Sequence, residues 1–179
     1  PEEGETPPRT WGDLGAKGAF ATVPLARYGR HRASLAHGYF GRRVLDGRAH
    51  RADVTHAPGS SGVVDAVAAR RGAIGYGNLG QAGPGVRVLA IADGDQAVWP
   101  TAEAVRLGSY PLARPIHVLF PRAAAAAPSP FERAFLRMLY AREGQSAVAQ
   151  DALVPLGAQE STAWRRRLEH QHERPRRHR

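Results

Sequence analysis

The residues best suited to chemistry lie in the run Tyr28-Gly29-Arg30-His31-Arg32-Ala33-Ser34-Leu35-Ala36-His37-Gly38-Tyr39-Phe40. Ser34 stands just before a stretch with helical spacing, and Arg32 and Arg30 precede it by two and four residues. That order can turn guanidinium, hydroxyl and the unpaired amides of a first helical turn toward one anion, with the helix dipole adding to the attraction. Arginine suits a tetrahedral oxyanion because its planar fork donates two parallel hydrogen bonds, which lysine does not. On local pattern alone the plainer role is the simpler assignment: Ser34 as an N-cap and the arginines as a solvated turn.

Gly59-Ser60-Ser61-Gly62 before a helix is a second possible anion seat. It lacks the lysine and spacing of a P-loop and is not GxGxxG, so helix capping is the simpler assignment. Hydrolytic chemistry finds no support, since no GxSxG elbow occurs and no acid, base and nucleophile set can be assembled. The sequence therefore predicts no enzyme, and nothing in it requires a cofactor. For metal, His31 and His37 are six apart, as are His50 and His56, which fits neither the helical i, i+4 pairing nor HExxH. No specific metal site is expected, although His170, His172 and His178 could take up metal adventitiously.

These groups must be positioned by elements, and helix and strand signals alternate along the chain, predicting an α/β fold. Pro1 to Arg9 reads as a linker. Val23 to Tyr28 reads as an extended segment, followed by a helix from Leu35 to Leu45 with Leu35, Tyr39, Phe40 and Val44 on its apolar face. Ser60-Ser61 can cap a helix whose buried stripe is Val63, Val64, Val67 and Ala68, with Asp65 in its first turn. Gly72 ends that unit, and Ala73-Ile74-Gly75-Tyr76 reads as a short strand. Val86 to Ala92 is a predicted strand, Thr101 caps a short helix closed by Gly108, and Tyr110 to Phe120 is a strand interrupted by Pro111 and Pro115. The Ala123 to Ala127 run is a spacer. Ser129-Pro130-Phe131-Glu132 is a complete helix start, with Phe131, Phe135, Met138 and Leu139 forming the core face behind it. After Gly144-Gln145 a further helical segment leads to Leu153-Val154-Pro155-Leu156, and past Trp164 the sequence reads as disordered.

With 179 residues and 42% apolar content the chain can build a compact core while mean hydropathy stays negative. No apolar run approaches the roughly 20 residues that cross a bilayer, and Pro1 to Arg9 carries no signal-peptide pattern. Cysteine is absent, which excludes disulfides and leaves only histidine and carboxylate as zinc ligands. The formal charge is +9, and from Arg165 onward seven arginines face two glutamates. This basic tail could touch nucleic acid or anionic lipid, but Trp164 is its one aromatic neighbour and base stacking is not provided for. A solvated terminus is the simpler assignment. Lys17 is the only lysine, so arginine carries the charge in a pattern of coding bias rather than nucleic-acid design.

Five segments, in order over about residues 10 to 160, resemble the phosphate-binding subfamily of ABC-transporter solute-binding proteins. Thr10-Trp11-Gly12-Asp13-Leu14 resembles that family's Trp-x-Asp-Leu segment, and Tyr28-Gly29-Arg30 through Tyr39-Phe40 its ligand segment. Gly59-Ser60-Ser61 with Val63, Val64 and Gly72 to Tyr76 resembles its helix-and-strand unit. Tyr110-Pro111-Leu112-Ala113-Arg114-Pro115, and Glu143-Gly144-Gln145 with Val154-Pro155-Leu156, complete the series.

The resemblance implies a two-lobed, Venus-flytrap protein of the periplasm or cell envelope that closes on phosphate or a similar oxyanion and delivers it to an inner-membrane ABC permease, acting as a monomer without a specific nucleic-acid partner. It places lobe two at 10–109 and return segments completing lobe one at 110–164, with a basic tail at 165–179. Family members carry a preceding segment with a glycine- and serine-rich ligand loop, to which no part of this sequence corresponds. Ligand contacts carried over by position fall on Arg30, Ser34, Leu35 and Ala36, with Arg32 as a substitute donor. Leu35 and Ala36 stand where the family has glycine and threonine. Losing one charge-assisted hydrogen bond removes about 1.5 to 3 kcal/mol, roughly ten- to a hundredfold in affinity. The same departure leaves open a degenerate module that has lost its ligand, and the tail leaves open a nucleic-acid-binding protein.

Overall fold

The computed structural model describes residues 6–121, 127–151 and 153–170. The chain divides into two compact units, Pro1–Leu89 and Ala90–Arg179.

The first unit is built on three parallel strands, β1 (Ala26–Arg30), β2 (Val54–Ala57) and β3 (Ala73–Gly75), in the order β2-β1-β3. Arg27 pairs with Val54 on one side of β1 and with Ile74 on the other. Helix α1 (Leu35–Val44) connects β1 to β2, and α2 (Gly59–Ala68) carries the chain from β2 back across β1 to β3. Right-handed crossovers in these opposite directions require helices on opposite faces of the sheet. The side chains agree. A Cβ on Gly75 would stand 2.6 Å from Val63 Cγ1 of α2, whereas the next residue, Tyr76, stacks its ring on Phe40 of α1 with centroids 3.9 Å apart. Val63, only 2% exposed, is the centre of a small core completed by Leu25 and Ala57.

Before the sheet, Trp11 donates its indole N–H to the Gly72 carbonyl at 2.9 Å and packs against Phe20. Thr10 and Pro24 form an isolated antiparallel bridge. Arg27 reaches Asp53 at 3.1 Å, and Arg51 holds the same carboxylate at 2.8 Å, tying β1 to the start of β2.

The second unit opens with an antiparallel pair, β4 (Ile91–Asp93) and β5 (Gln96–Val98), and continues through α3 (Ala102–Arg106), α4 (Pro130–Leu139), α5 (Arg142–Gln150) and α6 (Ala158–His170). Thr101 caps α3 by accepting the Ala104 N–H at 3.0 Å. Ser129 and Glu132 form the reciprocal capping box at α4, with Pro130 in its first turn. Gln145 clamps two segments: its amide donates to the Leu139 carbonyl at 2.7 Å and accepts from the Leu156 N–H at 2.8 Å. Tyr140 stacks on Trp164 with rings 5.8 Å apart, joining the end of α4 to α6.

The α/β class, α1, α2, β3, the Thr101 cap and the Ser129 start agree with the sequence, while other expectations need correction. Leu35 is 81% exposed and Val44 is also out, because the sheet covers the Phe40 side of α1. Pro58, not a serine, occupies the α2 N-cap, and Asp65 lies beyond the first turn. Pairing in the Val86–Ala92 region is confined to Ile91 onward, since its one partner is the short β5. Tyr110–Phe120 pairs with no strand among the described residues, consistent with two prolines that remove ladder donors. Phe131 and Met138 point outward, whereas Phe135 and Leu139 are half-buried as expected and Leu136 joins them. Helix α6 continues past Trp164 to His170. The alanine spacer, apart from Ala127, and the tail after His170 lie outside the described residues.

Candidate oxyanion site

Parallel strands deliver their C-terminal ends, and the N-termini of the helices that follow, to one edge of the sheet. Where successive crossovers leave in opposite directions a crevice forms, and such crevices are the usual ligand seats of open α/β sheets. Arg30, at the end of β1, and the Ala57-Pro58-Gly59-Ser60 turn, after β2, both lie on that C-terminal edge.

Arg30, the last residue of β1, donates Nη1 to Ser60 Oγ. Ser60 is buried and also accepts the Asn78 N–H at 2.9 Å. A hydroxyl has two acceptor pairs and one proton, so these bonds occupy its acceptor side and leave its O–H to donate. The Arg30 Nε–H is buried without a protein acceptor. A buried guanidinium N–H of this kind is costly unless something supplies an acceptor. Helix α2 has no side-chain cap, so its first amides stand beside Ser60 with the positive end of the helix dipole.

Gly29 makes this edge possible. A Cβ there would lie 3.0 Å from Val54 Cγ1 and 3.2 Å from the Tyr76 ring, so glycine lets the ring cross the strand just before Arg30. Burial pushes the Tyr76 hydroxyl above its ordinary pKa, partly offset by the neighbouring Arg30 backbone and charge.

The other expected residues are distributed as follows. Ser34 caps α1, accepting the His37 N–H at 3.1 Å, and its own proton remains a donor. Leu35 turns its side chain to solvent, and Ala36 is half-buried in the first turn without a polar group. Arg32 is exposed and stands in the wall of a separate pocket with His37, His50 and His56. Sequence spacing separated Arg30 from Ser60 by thirty residues; the parallel β1–β2 pairing joins them. The clue was a serine just after a strand and its turn, which capping explained too easily.

No family model matches the chain. It is 34% identical over 152 residues to the phosphate-binding protein PstS of Pseudomonas aeruginosa, an alignment covering 84% of this chain and 47% of that protein. The chain is PstS-like. It is also 28% identical over 156 residues to protein SphX of Synechococcus elongatus, covering 82% of this chain and 44% of that one. The PstS-like chain thus spans about half the length of the curated relatives it matches. Among its described residues no helix is long and apolar enough to cross a membrane.

Proposed function

We propose that this PstS-like chain contributes one wall of an oxyanion-binding cleft, with phosphate as the first candidate ligand, in a solute-binding protein of the cell envelope that serves an ABC permease. The observation that carries this is Arg30: a guanidinium at the crevice edge of the central strand, held by Ser60, with its Nε–H buried and without a protein acceptor. Ser60 brings a hydroxyl donor, and the α2 N-terminus brings amides. The role is binding rather than catalysis, because the site holds donors and no nucleophile paired with a base. The name of the Pseudomonas relative supports phosphate in particular.

A weaker second possibility is a module that has lost its ligand. It is favoured by Ala36, which offers no hydroxyl, and by the exposed Leu35 at the first turn of α1. Equilibrium dialysis against labelled phosphate separates the two. Saturable uptake that disappears in Arg30→Ala and persists in Leu35→Ala supports the cleft. Absence of uptake at millimolar phosphate, or uptake unchanged in Arg30→Ala, favours the module.

A further inference from the structure

Beside α1 lies an open pocket of about 360 Å³ whose polar lining is entirely basic or neutral: Arg32, Arg42, Arg48, His37, His50 and His56. These residues come from the β1–α1 turn, α1, the following loop and β2, so the first unit alone assembles them. Glycines 38, 41 and 47 and Ala49 form the rest of the wall and leave room rather than filling it. No carboxylate lines the pocket. Asp46 touches Arg48 at its rim at 3.7 Å, with both side chains largely exposed.

The imidazoles are held in a defined way. His37 and His50 stack face to face with centroids 3.8 Å apart. The Tyr76 hydroxyl sits 3.2 Å from His50 Nε2 and 3.5 Å from His37 Nδ1. His56 contacts the Arg30 carbonyl through Nδ1 at 2.9 Å; because a carbonyl only accepts, Nδ1 carries the proton. His56 stands edge-on to His37, with centroids 5.2 Å apart. Parallel stacked rings keep their in-plane lone pairs in separate planes, which does not suit convergence on one ion. Among the described residues no three histidine or carboxylate side chains are arranged to hold a metal.

We propose that this pocket is a second anion site, separate from the Arg30–Ser60 seat, that takes a polyvalent phosphoryl group: two or more linked phosphates, free or as the tail of a nucleotide. The open wall admits a ligand longer than a single phosphate. Three guanidinium groups likewise call for more than the one or two charges of inorganic phosphate.

Charge also sets its pH dependence. His50 is pushed below the ordinary histidine range, first by burial and then by His37, His56 and Arg32. The groups facing it are His37 and Arg42 from α1, Arg32 from the turn before it, Asp46 and Arg48 from its own loop, His56 from β2 and Tyr76 after β3. An incoming polyanion reverses the balance at His50 and favours its charged imidazole, so binding takes up a proton there and tightens as pH falls.

Calorimetric titration of the whole chain with tripolyphosphate, ATP and inorganic phosphate, at pH 8 and pH 6, tests this. Tripolyphosphate should bind about tenfold or more tightly at pH 6 than at pH 8. The double variant Arg42→Ala/Arg48→Ala, changed only at exposed positions, should weaken it at least about tenfold while leaving inorganic phosphate unaffected. Arg30→Ala should leave tripolyphosphate binding intact, so the two sites fail independently. Equal affinity for ATP and tripolyphosphate identifies the phosphoryl chain as the recognised group, and tighter ATP binding adds the nucleoside. The proposal is overturned if neither ligand binds, if affinity is the same at both pH values, or if the double variant binds as well as the parent.

Discussion

The two units bury their apolar residues to very different degrees. In the first, a parallel sheet with helices on both faces encloses Val63, Leu25 and Ala57, and the proposed oxyanion seat stands on its edge. In the second, local structure is well made, with a capping box on α4, a side-chain cap on α3 and the Gln145 clamp. Yet several of its large apolar side chains remain in solvent: Phe131 is 74% exposed, Leu107 74% and Leu119 87%. Among the described residues of that unit Ser161 alone is buried. Good helix ends and a hydrophobic core are thus independent achievements. Caps need only neighbours in sequence, whereas a core needs opposing surfaces, and the first unit supplies its own in the sheet.

The sharpest way to break that contrast is to place a charge in each unit. Val63→Asp should cost at least about 3 kcal/mol, enough to unfold the first unit, because it buries an unpaired carboxylate. Phe131→Asp should cost less than about 1 kcal/mol, since the ring is already largely exposed. Hydrogen exchange read separately in α2 and α4 measures both, and equal losses would end the comparison. A smaller effect is expected at Gly75→Ala, where the added methyl meets Val63 and the Tyr28 carbonyl. Overpacking of this kind destabilises by about 1 to 3 kcal/mol, measured as a lower urea midpoint for the first unit. Ser129→Ala removes the α4 cap and should cost about 1 kcal/mol, seen as faster exchange at the first amides of α4 with the first unit unchanged.

The smallest effect is electrostatic. Because the folded protein holds His50 below its ordinary pKa, the unfolded chain binds the proton more readily. Stability from this source is present above the unfolded value and declines as pH falls through it. The first unit should therefore lose some thermal stability between pH 7.5 and 5.5 in anion-free buffer, and His50→Gln should flatten that slope.

Local chemistry was legible in the sequence. Ser129 to Glu132, Thr101 with Gly108, and Ser34 before α1 all behave as their residue types dictate, because a cap depends on positions a few residues apart. Arg30 was singled out from its near neighbours in the same way. Ser60 was marked only as part of a second possible seat, and its meeting with Arg30 was not legible: the pairing of Arg30 with Ala57 across two parallel strands sets the guanidinium against the first turn of α2. The meeting of His37, His50 and His56 was hidden in the same way, since three elements supply three rings and sequence spacing carries no trace of their stacking. The outward faces of Leu35 and Met138 were misjudged because helical periodicity marks apolar positions without revealing which of them a neighbour covers.

The central claim is that Arg30 and Ser60 form one wall of a seat for a single oxyanion. Its most direct test is a phosphate titration of the isotope-labelled chain by NMR, following the Arg30 Nε–H and the backbone amides of Ser60 and Ser61. The account predicts saturable shifts of those three signals that vanish in Arg30→Ala and persist in Arg42→Ala/Arg48→Ala. Signals that stay fixed, or shifts confined to the surroundings of His37 and His50, would contradict it.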